Sequence, residues 1–130
     1  LETRGYRLQR IELVLGRDLT RDAVLDPLPV NVLVTRGQDE AWARIAVAGF
    51  AAAETVDGRD APAEAYDTSM LEQVVAQFAG IREVRRYVAL VDGTPVGAAS
   101  ARIDAGVYQL CGAATLPAWR RRGVQTALLV

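Results

Sequence analysis

The 130-residue sequence contains no histidine, no lysine and a single cysteine, Cys111. Without histidine, neither a Ser-His-Asp nor a Cys-His nucleophile system can be assembled from this stretch. One thiol builds no intramolecular disulfide framework, and with no second thiol the usual zinc spacings are missing, so no metal site is expected. No apolar run reaches the roughly 18 residues of a membrane-spanning helix, and no basic-then-apolar leader opens the chain. No membrane partner is therefore expected, and a cytoplasmic location is the default. The net charge of -1, from 15 arginines against 16 acids, gives no general attraction to nucleic acid. Any anion site must be local. The exclusive use of arginine, beside abundant Ala, Val, Leu, Gly and Asp, is the bias of a high-GC genome rather than a functional signal.

What is present suits one soluble globular domain, with 51% hydrophobic and 24% charged residues. A domain of this size buries roughly two-thirds of the surface its unfolded chain exposes, enough for a core without staples. The sequence opens at Leu1 and closes at Val130 inside the apolar run Ala127–Val130, which reads as a fragment.

Leu8 to Leu15 reads as a strand, and Asp26-Pro27-Leu28-Pro29 breaks regular structure. A second strand is expected over 30–35. Acidic Asp39 and Glu40 then open a helix over 39–53 with Trp42, Ile45, Ala46, Gly49 and Phe50 on one face. Residues 54–67, rich in acids, read as a loop. Ser69-Met70-Leu71-Glu72 fits a capping box for a helix over 68–79, with Leu71, Val74, Val75 and Phe78 on its face and Gly80 at its end. From Arg86 the period changes to that of strands: Tyr87–Val91, the tight turn Asp92-Gly93, Pro95–Arg102, the turn Asp104-Ala105-Gly106, and Val107–Thr115 form a three-strand meander.

The meander runs into Pro117-Ala118-Trp119-Arg120-Arg121-Arg122-Gly123, followed by an apolar helix start. A basic turn with glycine before a helix offers free main-chain amides, and a residue without a side chain lets phosphate approach them. Arginine forks add donors suited to phosphate oxygens. The expectation is a pyrophosphate cradle, although on the charge run alone a solvated basic turn is the simpler reading.

These residues resemble motif A of the GNAT superfamily of acyl-CoA N-acyltransferases: a proline shortly before Arg/Gln-x-x-Gly-x-Gly/Ala, then a helix with small residues and leucines. Arg120 takes the first position and Gly123 the fourth, while Gln125 stands where the family usually has Gly or Ala. The order of elements from residue 28, and the phrase Tyr87–Gly97, are also similar to the family. The resemblance implies an α/β (α+β) acyl-CoA N-acyltransferase fold: a mixed, mainly antiparallel sheet flanked by helices. It implies a GNAT domain over 28–130, truncated after the start of the cofactor-binding helix. Residues 1–27 would be an N-terminal strand and linker that resemble the end of a degenerate GNAT-like half.

The implied activity is transfer of the acetyl group of acetyl-CoA to an amine acceptor by direct attack in a ternary complex. The alternative is a non-catalytic acyl-CoA-binding module, or a structural GNAT-like module, the latter favoured by Gln125 in place of Gly. By the same resemblance, the backbone of Ala114, Thr115 and Leu116 would contact pantetheine, and Arg120, Arg121, Arg122, Gly123, Val124, Gln125 and Thr126 would hold the pyrophosphate. An amine must lose a proton, and Glu54, Asp67 and Gln109 are the polar candidates for that step. The family's usual acid, a tyrosine, would lie beyond Val130. Tyr87, Tyr108 and Trp119 are expected to pack, and Cys111 to be a buried, inert thiol. The acceptor's identity and a homodimer are left open.

Overall fold

A computed structural model describes Gly16, Asp18 and residues 31–52, 55–56, 59–60 and 67–129. The expected strand over 8–15 and the junction at residue 27 lie outside the described residues, as does Glu54. The described chain runs β1 (Val32–Thr35), α1 (Asp39–Ala51), β2 (Thr55–Val56), β3 (Arg59–Asp60), α2 (Thr68–Ala79), β4 (Val84–Val91), β5 (Thr94–Asp104), β6 (Val107–Thr115) and α3 (Val124–Leu129). A single 3-10 turn, Pro117–Trp119, separates β6 from the arginines.

The main sheet has the order β1-β4-β5-β6 and is antiparallel throughout. Its two hairpin turns carry left-handed backbone at Asp92 and Gly93 and at Ala105 and Gly106, the geometry that matches strand twist in tight hairpins. Strand alternation, with a bulge in β5 that leaves Val96 outside the ladder and lets it share a face with Ala99, then divides the core. Val88 and Ala98 turn to one face with Trp42, Ile45 and Ala46 of α1 and Val75 of α2. Ala89, Val96 and Ala99 turn to the other with Val124 and Leu128 of α3. The expected mainly antiparallel sheet between helices is what the chain forms.

Particular expectations change. The capping box at Ser69 is not used: Asp67 caps α2, its Oδ1 accepting the Ser69 N–H at 2.9 Å, and the helix keeps the expected span of 68–79. A carboxylate two residues upstream serves the Ser69 N–H, an orphan donor one step earlier than those a serine cap at 69 would reach. The segment expected to be wholly loop holds a two-residue antiparallel pairing, Thr55–Val56 with Arg59–Asp60. Phe50 and Val74, placed on buried faces by periodicity, are about half exposed, because α1 and α2 bury narrower stripes than their patterns offer.

The two helices on the first face are tied to the sheet by one arginine. Arg86 Nε and a terminal nitrogen bond the two Asp39 oxygens at 2.8 and 3.1 Å, and its other terminal nitrogen donates to Ala79 O at 3.0 Å. Arg86 on β4 thereby holds the start of α1 and the end of α2. Its hydrogen bond keeps the Asp39 carboxyl below the ordinary value of 3.8. A depressed acid stabilises the fold above its unfolded value and loses that contribution as pH falls through its folded value. Asp39 is well exposed, so the effect is modest. Asp39→Asn should melt below wild type at neutral pH, and the difference in Tm should close in acid. A difference that persists in strong acid would show that ionisation of Asp39 is not its source.

Candidate functional site

The end of β6 and the turn after it build a groove. Leu116 donates its N–H inward to Val96 O at 3.0 Å. Strand alternation therefore turns the main chain of Thr115 toward the open edge of the sheet. Pro117 then starts the 3-10 turn, closed by Trp119 N–H to Leu116 O at 2.8 Å. Beyond it, φ is +62° at Arg121 and +76° at Gly123, with no left-handed value at Arg122 between them. Such alternation aims successive amides into one concavity. Ala127 N–H bonds Gly123 O at 3.0 Å, while the N–H groups of residues 123–126 meet no main-chain acceptor among the described residues.

The resulting groove has a volume of about 220 Å³. Of the expected residues, Thr115, Arg120, Arg121, Gly123, Val124, Gln125 and Thr126 line it, joined by Trp119. Three others sit elsewhere. Ala114 turns to the opposite face, against Gly49 of α1. Leu116 packs at the edge of the α1 core. Arg122 places its guanidinium 5.1 Å from the centre of the Trp119 ring.

Arg120 lines the groove, but its side chain has structural partners. Its Nε donates to Thr115 O at 3.3 Å and a terminal nitrogen donates to Gly49 O at 3.1 Å. The fork that the sequence offers to phosphate thus braces the turn against β6 and α1. The donors aimed at the groove come chiefly from the main chain.

Thr115 carries a feature invisible in the sequence. The residue is 7% exposed, and its Oγ1 is buried without a hydrogen-bond partner. A buried hydroxyl left unpaired costs about 1–3 kcal/mol, so a groove-lining residue that keeps one is unusual. Its ladder partner Gly97 offers only apolar surroundings: a Cβ built there would stand 2.6 Å from Val124 Cγ1 and 3.0 Å from Leu128 Cδ1.

The proton-transfer candidates are scattered. Asp67 is an exposed helix cap, and backbone donation from Ser69 lowers its pKa. Gln109 is exposed on β6 opposite Arg102. Neither lines the groove. Tyr108 OH donates to Tyr87 OH at 3.0 Å, and burial beside that neighbour pushes the Tyr108 phenol up to about 12, so it stays protonated at neutral pH. Tyr108 is 43% exposed, less packed than expected of it. Cys111 also departs from expectation: it is only half-buried at a bulge in β6, with Sγ against Gln109 O at 3.4 Å. The insertion that shifts the register beside it lifts it out of the tight packing of regular strands.

Residues 50–129 match the family model of the acetyltransferase (GNAT) family. The chain belongs to the GNAT acetyltransferase family. No curated protein matches it. Among solved structures, a possible acetyltransferase from Clostridium difficile 630 shares the GNAT fold at 14% identity and a TM-score of 0.56, over 75% of this chain and 66% of that one. The PaiA N-acetyltransferase from Thermoplasma acidophilum, in complex with coenzyme A, is 16% identical with a TM-score of 0.47, over 75% of this chain and 67% of that one. This GNAT chain thus spans about two-thirds of the length of either structure. Among its described residues no helix is long and apolar enough to cross a membrane.

Proposed function

We propose that this chain binds acetyl-CoA and serves transfer of its acetyl group to an amine acceptor, by direct attack in a ternary complex. The observation that carries this reading is the row of unaccepted amides over residues 123–126, set in a groove at the end of an open-edged strand. Fixed amides converging on one concavity suit a diphosphate, and the absence of a side chain at Gly123 permits close approach.

In this reading the amides of Gly123 to Thr126 hold the diphosphate, and the outward main chain of Thr115 aligns the pantetheine arm along the edge of β6. Acetyl-CoA, when bound, supplies an activated acyl group and a thiol leaving group. The chain's own contribution is orientation of that group against the acceptor, together with an N–H from the β6 edge toward the carbonyl oxygen where negative charge develops. Arg120 contributes by fixing the Thr115 carbonyl and the turn in one geometry.

Two measurements test it. Saturation with acetyl-CoA at 100 times its Kd should add about 2.7 kcal/mol of stability, read as a rise in Tm. Free thiol should then be released from acetyl-CoA when amines are supplied. No rise in Tm at millimolar acetyl-CoA removes the proposal. Binding without thiol release across an amine panel would favour the non-catalytic acyl-CoA-binding module, a reading kept open by the scatter of Asp67 and Gln109 away from the groove.

A further inference from the structure

We propose that one side of α2 is the contact surface of a weak two-fold dimer of this chain. Met70 and Val74 on α2, and Ile81 just past its Gly80 cap, are 51%, 47% and 38% exposed. Gly80 keeps helical dihedrals, φ -80° and ψ -11°, so Ile81 continues the winding of the helix. At 3.6 residues per turn the three side chains fall within about 40° of one another, along a stripe about 16 Å long. Val75, which α2 buries in the core, lies roughly 100° round from Val74. The stripe therefore looks sideways out of the fold. Large apolar side chains aligned in this way, unlike scattered ones, mark a contact surface.

Charge at its two ends selects the occupant. Asp67 precedes the stripe and Arg82 follows it; both are exposed, and neither has an ion-pair partner among the described residues. A stripe negative at one end and positive at the other is complementary to its own reverse. A two-fold axis between Val74 and Gln77 sets Met70 against the partner's Ile81 and brings Asp67 toward the partner's Arg82, twice over. Parallel pairing would instead oppose like charges. Gln73 and Gln77, exposed beside the stripe, carry amides that both donate and accept, and so can meet their own copies. A membrane surface would call for a basic rim, and α2 has no basic residue between Thr68 and Ala79. A contact this narrow belongs to the small end of protein interfaces, so dissociation in the micromolar to millimolar range is expected.

Residues of α2 do not line the groove, so the dimer stands or falls apart from acyl-CoA binding. Sedimentation velocity of the intact protein should show a coefficient that climbs from the monomer value toward the dimer value as concentration rises into the millimolar range. Val74→Glu sets a carboxylate beside its own copy at the axis and should abolish that climb, with the circular dichroism of wild type. Should this variant disturb the helix, Arg82→Glu, outside α2, gives a second reading: it opposes two acids and should weaken the dimer about tenfold. Adding Asp67→Asn, which keeps an N-cap oxygen while removing the charge, should recover most of that loss. Wild-type protein that stays monomeric at every concentration overturns the proposal. A dimer that a folded Val74→Glu protein retains places the contact elsewhere, and one indifferent to Arg82→Glu overturns the antiparallel arrangement.

Discussion

Gly123→Glu should lower CoA affinity at least 100-fold while the protein stays folded. Gly123 has φ of +76°, where a side chain costs roughly 1–2 kcal/mol, so any substitution strains the turn. Glutamate adds a second and larger effect. It brings a carboxylate into a groove walled by the amides proposed to receive a diphosphate, where it would take those donors for itself and repel the ligand's charge. The fold should survive because Gly123 sits at a surface turn, while Val124 and Leu128 after it keep their places in the core. Gly123→Ala separates the two effects, since it carries the backbone strain without the charge. Its affinity should fall between those of wild type and Gly123→Glu. Calorimetry with CoA, alongside circular dichroism, reads both; wild-type affinity in the glutamate variant would place the diphosphate elsewhere.

The largest effect on stability is expected at Gly49. In a helix interior glycine is the worst ordinary residue, and replacing it by alanine normally gains about 1 kcal/mol. Here the sign should reverse. A Cβ at position 49 would stand 2.6 Å from Ala114 Cβ and 3.5 Å from its Cα, so α1 could keep it only by backing away from β6. Gly49→Val should cost about 1–3 kcal/mol, the range for overpacking a close-packed core. The displacement should also reach the groove, because the Gly49 carbonyl accepts from Arg120, which braces the turn. Weaker CoA binding should therefore accompany the lower Tm. Ala114→Gly in the same chain removes the opposing methyl and should recover most of the loss seen with Gly49→Ala. A Gly49→Ala protein as stable as wild type would show that α1 does not approach β6 this closely.

These two glycines illustrate what could be read from residues alone. Gly123 is legible because its role depends on neighbours in the chain: a turn, a glycine and a helix start within a few positions. The same holds for the meander, where Asp92-Gly93 and Ala105-Gly106 set the hairpins locally, and for α1, whose stripe of Trp42, Ile45, Ala46 and Gly49 is buried as its spacing implies. Gly49's tight approach is not legible, because it requires knowing that β6, over 60 residues later, crosses that part of α1. Arg120 is the sharper case. Its place before Gly123 marks the groove, yet the destination of its guanidinium depends on two carbonyls, one of them 71 positions away. The cap of α2 was ambiguous for another reason, since Asp67 and Ser69 can both satisfy orphan amides and sequence does not rank them. Proton transfer is least legible of all: it needs polar side chains from separate elements to converge, and Asp67 and Gln109 do not meet at the groove.

The Arg120 brace bears on how quickly a ligand could settle. Because the carbonyls of Thr115 and Gly49 already anchor the turn in the free protein, little loop freedom is left to surrender on association. Encounter would then be governed by diffusion and orientation, leaving the lifetime of the complex as the quantity through which sequence changes around the turn set affinity.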